Sequence, residues 1–262
     1  MKLRLKPLMF YITFFRLRFA SLYYRLRNRG NRNSRRALPL SNNTAYFQQN
    51  PDSPFHILKP NLIPQFNETA CSVASVAVVL NAARDLSRQT DGKISISQEE
   101  ILERVDVVHW KNRVSRKGHK NRRGLTIEML GQAVHGTLST YDIPCEHIDV
   151  VSLNPKMKEI EIRKDELRQR LKSLENTNNA FIIAHFNQGI FTGGLHIPHI
   201  SPIGAYDNDN DRVLILDVDP EQPEPYWITF DTFFEGLAWD YHGILKKYGY
   251  DGGGYVWICL KP

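Results

Sequence analysis

"NETACSVASVAVVLNAARDL", Asn67 to Leu86, decides how this chain folds. Val73, Val76, Val79, Leu80 and Ala83 recur at helical spacing, and the preceding Asn67, Glu68 and Thr69 supply helix-capping chemistry. Because "VASVAVVL" has almost no polar face, the helix is expected to be buried on most sides. Cys71 stands at its mouth. A thiol there faces unpaired backbone N–H groups and the positive end of the helix dipole, and both stabilise a thiolate. The stretch alone leaves three readings of Cys71: a small core residue, half of a disulfide, or a nucleophile.

Composition narrows the choice. The chain has 262 residues, 42% hydrophobic and 24% charged, which suits one large domain with a sizeable core, or one domain plus extensions. Its three cysteines, Cys71, Cys145 and Cys259, are too few and too scattered for a disulfide framework or a zinc ribbon. Free thiols in a reducing compartment follow. The net charge of +6 is misleading, since residues 1–36 carry 11 Lys and Arg and no acid, which leaves −5 on the rest. A second basic cluster, "KNRVSRKGHKNRR" (Lys111 to Arg123), reads as a solvated loop or a phosphate- or acid-binding segment. It has no interleaved aromatics to stack bases, and no nucleic-acid partner is expected.

The sequence divides at about residue 40. Residues 1–40 are expected to form a basic, aromatic extension, and residues 41–262 the main folded domain. The extension's longest uncharged run, Pro7 to Phe15, falls far short of the roughly 20 residues of a membrane span. It reads as an interfacial amphipathic helix, an organelle presequence or a disordered tail, with membrane-surface contact through residues 1–36. The expected location is cytoplasmic or membrane-associated, with organelle or host targeting left open.

Beyond a Pro-, Asn- and Ser-rich lead-in, helices come first. "SQEEILERV" carries a capping box, Ser97 with Glu100. "GLTIEMLGQAVHG" predicts a helix capped by Thr126 and ended by Gly136, and "MKEIEIRKDELRQRLKSLEN" another. After Asn179 the pattern turns to strands: "AFIIAHF", "HISPIGAYD", "RVLILDV", "YWITF" and "GGYVWICL". The turn "DNDND" at residues 207–211 joins the second and third as a hairpin. This order predicts an α+β domain of helices followed by an antiparallel sheet.

The hairpin bears on the cysteine. It can set His199 beside Asp217, and an imidazole oriented by a carboxylate turns a nearby thiol into a nucleophile. Cys, His and Asp in that order, with a leading helix and a trailing sheet, is the layout of papain-like hydrolases and transferases.

"NETACSVASVAVVLNA", "GLTIEMLGQ", "HISPIGAYDNDNDRVLILDV" and "YW" resemble the catalytic domain of the phytochelatin synthases over about Gln65 to Leu260. The resemblance implies a papain-like γ-glutamylcysteine transferase acting on glutathione, as donor and as acceptor. It makes Cys71 the nucleophile, His199 the general base, Asp217 the orienting carboxylate and Gln65 an oxyanion-hole residue. It implies no tightly bound cofactor and no metal ligands, with Cd or Zn entering as metal-thiolate substrate or activator. It also allows a homodimer. Lacking a cysteine-rich second domain, the chain is similar to the short bacterial forms, which lean toward hydrolysis.

Four departures stand out. Ser72 replaces a usual Gly, Pro198 replaces the Gly before the histidine, Gly253 replaces a usual Arg, and the acidic "DPEQPEP" follows Asp217. His196 and His199 could form half a metal site, although a strand would point them to opposite faces. Cys145 and Cys259 read as packing residues, the former also open to heavy metals. Two other functions stay open: a papain-like hydrolase of another peptide or glutathione conjugate, and a catalytically silent membrane-associated module.

Overall fold

A computed structural model describes residues 36–87, 95–177, 179–242 and 244–261. Apart from Arg36, which pairs with Glu235 at 2.9 Å, the membrane and targeting readings of residues 1–36 lie outside the described residues. No described helix is long and apolar enough to cross a membrane.

Helix α1 (Cys71–Leu86) buries every residue from Cys71 to Ala83. A helix apolar on all sides needs cover on all sides. Here α2 (Gln98–Arg104), α3 (Ile127–Thr140) and the sheet provide it. Each fully buried Val or Leu of this helix contributes about 1.5–3 kcal/mol of transfer free energy. Ser97 caps α2 by accepting from the Glu100 N–H at 3.1 Å, as the capping box predicts. Thr126 caps α3 from Met129 N at 3.4 Å. That helix runs four residues past the expected stop at Gly136, because Gly136 lies inside it against Val105 and Val107 and adopts no left-handed C-cap.

The sheet has seven antiparallel strands: β1 (Leu38–Pro39), β2 (Cys145–Leu153), β3 (Ala180–Asn187), β4 (Pro198–Asp207), β5 (Arg212–Ile215), β6 (Tyr226–Thr229) and β7 (Gly253–Leu260). Their order is β1-β6-β5-β4-β3-β7-β2. Alternation along β3 sorts the two faces. Phe181 and Ile183 join the core under the helical lobe, whereas Ile182, Ala184 and Phe186 join the opposite core. Helices α4 (Ile160–Leu174) and α5 (Phe230–Leu237) pack on that second face. The architecture is α+β with the papain-like order of helical lobe and antiparallel sheet.

Three details differ from the sequence reading. β2 is an edge strand whose charges, Glu146 and Asp149, break up its apolar alternation. β5 is four residues long, and Asp217 lies two positions beyond it in extended chain. Leu38 and Pro39 pair with Trp227 and Tyr226, so the sheet begins inside the segment assigned to the extension. A two-residue pairing carries no periodic signal.

Candidate active site

Cys71 is the first residue of α1, and the position before it is Ala70, which has no capping side chain. The expected cap, Asn67, serves an earlier turn. Its Oδ1 accepts from Thr69 N at 2.8 Å and its Nδ2 donates to the Val114 carbonyl at 2.9 Å. Among the described residues, no side-chain cap is bonded at the start of α1. The Ser75 hydroxyl sits 2.8 Å from the Cys71 carbonyl and 2.9 Å from that of Ile200, joining the first turn of α1 to β4. Cys71 is buried, with 8% of the residue exposed.

The β4–β5 hairpin brings His199 and Asp217 together. Its tip is held by Asp207, which accepts from Asn210 N at 3.1 Å and Asn210 Nδ2 at 2.8 Å. The shift in register between Ile203 and Ala205 re-aims the chain ahead of the site. His199 Nε2 lies 2.7 Å from Asp217 Oδ1, which leaves Nδ1 for the Cys71 thiol. Tyr226 donates its hydroxyl to Asp217 Oδ2 at 2.6 Å, and Asp219 N donates to Oδ1 at 2.9 Å. Ser201 Oγ stands 3.2 Å from His199 Nε2 and accepts from Val218 N at 3.3 Å. Phe186 closes the ring edge-on, 5.5 Å between centroids.

Burial opposes the His199 cation, but the charge and hydrogen bond of Asp217, helped by Cys71, outweigh it and hold the imidazole pKa well above 6.5. Burial likewise opposes the Asp217 anion, and His199, Tyr226 and the Asp219 N–H keep it below the usual carboxylate range. A buried imidazole without such a partner behaves oppositely. His185, on β3, is driven down to about 4 by burial. At equal burial, the partners, the Asp217 carboxylate foremost, decide which histidine carries charge.

Gln65 is anchored beside this chain of groups, its N–H donating to the Val218 carbonyl at 2.8 Å. Its Oε1 is buried and has no partner among the described residues. Tyr250 donates to the Arg123 carbonyl at 2.9 Å. Burial raises the Tyr250 phenol, and the charge of Cys71 adds to that while Arg113 and Arg123 oppose it. The basic segment 111–123 thus reaches Tyr250. Of the four residues singled out from sequence, the structure joins His199 to Asp217, sets Cys71 where it favours the His199 cation, and holds Gln65 beside Asp217 through its neighbour Val218. It adds Tyr226, Ser201 and Ser75, which carry no motif of their own, although Tyr226 begins the "YW" pair.

A sequence model of the family described as phytochelatin synthase matches residues 41–250. The chain belongs to the phytochelatin synthase family. It is similar to glutathione gamma-glutamylcysteinyltransferase 1 of Arabidopsis thaliana, 26% identical over 173 residues, 64% of this chain and 30% of that protein. The chain thus spans less than a third of the length of that relative.

The departures from the phytochelatin synthase pattern have local explanations. Ser72 is fully buried, and its hydroxyl accepts from the Trp110 indole N–H at 2.9 Å. Trp110 is delivered by two left-handed residues, Val108 and His109. Gly253 leaves no room for a side chain, because a Cβ there would strike the carbonyls of His185 and Leu237. Pro198 opens β4 opposite Asn187. In the acidic segment, Asp219 is held by Gln188 Nε2 at 2.8 Å. His196 stacks on Trp239, centroids 5.1 Å apart, at some remove from the groups around His199. Cys145 and Cys259 sit on β2 and β7, only partly buried.

Proposed function

We propose that this chain is a cysteine-nucleophile acyl transferase and peptidase that cleaves the Cys–Gly bond of glutathione. The observation that carries the reading is the 2.7 Å bond between Asp217 and His199, with Cys71, at an uncapped helix start, favouring the His199 cation. The Cys71 thiolate adds to the carbonyl carbon of the Cys–Gly amide. The C–N bond then breaks, with the departing glycine nitrogen taking the proton from His199 Nδ1. This leaves a γ-glutamylcysteinyl thioester and a neutral imidazole.

Water, giving its proton to His199, attacks the thioester. The C–S bond breaks to restore thiolate and imidazolium and to release γ-glutamylcysteine. The α-amino group of a second glutathione in place of water gives phytochelatin, with metal ions masking the substrate thiols. The Cys71 N–H and the Gln65 side chain receive the oxyanion, and one such donor is worth about 3 kcal/mol. The positive charges of Arg113 and Arg123 around Tyr250 favour a substrate with carboxylates.

Glycine release from glutathione, followed with and without Cd²⁺, tests the reading. Release that disappears in C71A, together with a thioester adduct detected by mass, supports it. Turnover of other thiol peptides but not of glutathione replaces it with a papain-like hydrolase, a reading favoured by the carboxylate of Asp219 close to the site. No acyl-enzyme with any thiol peptide overturns the chemistry.

A further inference from the structure

A second group of metal-binding atoms lies on the edge of the sheet. β2 pairs with β7, Cys145 opposite Leu260 and His147 opposite Cys259, with a shift in register between them. Glu146 is the extra residue of this irregularity. In a regular strand Glu146 and His147 would point to opposite faces. A bulge re-aims side chains. Here one carboxylate oxygen of Glu146, one ring nitrogen of His147 and Sγ of Cys259 all lie within 4.8 Å of one another. Glu146 Oε2 and Cys259 Sγ are 3.5 Å apart.

We propose that Glu146, His147 and Cys259 form a binding site for a thiophilic divalent cation of the Zn²⁺ or Cd²⁺ type. Thiolate, imidazole and carboxylate together are the donor set of such ions, and hard cations such as Mg²⁺ prefer oxygen alone. Metal–ligand distances of about 2.0–2.3 Å are within reach after small rotations. Glu146 and His147 are exposed and free to make them. Three protein ligands leave a fourth position for water or a small thiol.

Cys145 is outside the site, its thiol directed to the Cys259 carbonyl at 3.0 Å. Cys259 pairs with Ala180 and His199 with Phe186. Those partners are six positions apart on β3, about 20 Å, so an ion here pins the edge strand and does not touch the acyl chemistry.

The test uses the full chain carrying C71S, which removes the thiolate–imidazole pair of the other site, and needs no glutathione. Zn²⁺ is titrated against a chromogenic chelator, Cd²⁺ is followed by its thiolate charge-transfer absorption, and Mg²⁺ serves as the hard-cation arm. One Zn²⁺ or Cd²⁺ per chain is expected, with affinity at least tenfold weaker in H147A and C259S and unchanged in C145S. The cadmium absorption is expected to vanish in C259S. Should C259S fold poorly, H147A and E146Q alter exposed side chains and carry the same expectation of weakened binding. Equal affinity in C71S and in C71S/H147A, absence of stoichiometric binding, or binding of Mg²⁺ as tight as Zn²⁺ overturns the site.

Discussion

Tyr226 and His199 grip the two oxygens of one carboxylate, the phenol meeting Asp217 Oδ2 at 2.6 Å and the imidazole meeting Oδ1 at 2.7 Å. The acid is fully enclosed, so every lone pair left without a donor would cost free energy. Four donors, with the Asp219 N–H and the Ser201 hydroxyl as the others, keep it ionised and fix its direction. The aim of the His199 ring is therefore set from β6, a strand that contributes nothing else to the site.

The proton inventory makes the first prediction. His199 has its folded pKa above the unfolded value, so its contribution to stability is complete below about 6.5 and is lost as pH rises through the raised value. Asp217 is the reverse: its contribution is present above about 3.9 and is lost as pH falls through its lowered value. In D217N, burial acts on His199 with only Cys71 left to oppose it. The alkaline limb of glycine release is expected to move to lower pH, and kcat/KM to fall by about 100-fold or more. A limb that stays in place shows that Asp217 does not control the ring.

Removing the Tyr226 hydroxyl leaves Asp217 Oδ2 buried and short of a donor. Y226F is expected to lower stability by about 1–3 kcal/mol in urea unfolding at neutral pH. Because that hydrogen bond helps to depress the carboxyl pKa, the loss of stability on acidification is expected to begin at higher pH than in the parent.

Gln65 separates binding from chemistry. If its amide serves the oxyanion, Q65A lowers kcat by about 100-fold with little change in KM. Its backbone bond to Val218 survives the substitution, so the thermal transition stays near the parent's. A rise in KM with unchanged kcat assigns Gln65 to substrate binding.

Gly253 gives a packing prediction. A Cβ would stand 2.7 Å from the Leu237 carbonyl and closer still to that of His185, and both belong to backbone. Backbone yields less than a flexible side chain, so G253A is expected to cost at least about 1–3 kcal/mol in unfolding measurements. G253R, which restores the residue more usual in the family pattern, is expected to yield no folded protein. Folded G253R would show that β7 can move away from β3.

Much of the framework was legible in the chain itself. Helical spacing from Val73 to Ala83, the Ser97 capping box, the "DNDND" turn and the apolar runs of β3, β4 and β7 are local signals, and each folds as its pattern dictates. The order of Cys71, His199 and Asp217 and the resemblance carried by "HISPIGAYD" pointed to the same three residues that the structure draws together. Local patterns stop where partners come from distant strands. No periodicity tells Tyr226 that it will meet Asp217, or Ser72 that it will meet Trp110. Nor does it reveal that a bulge in β2 will turn Glu146 and His147 toward Cys259. A strand's own residues determine that it is a strand, but register, bulges and the burial of charge arise only when strands pair. Tertiary structure therefore decided which histidine is charged, which capping side chain stays away from Cys71, and which polar groups face one another.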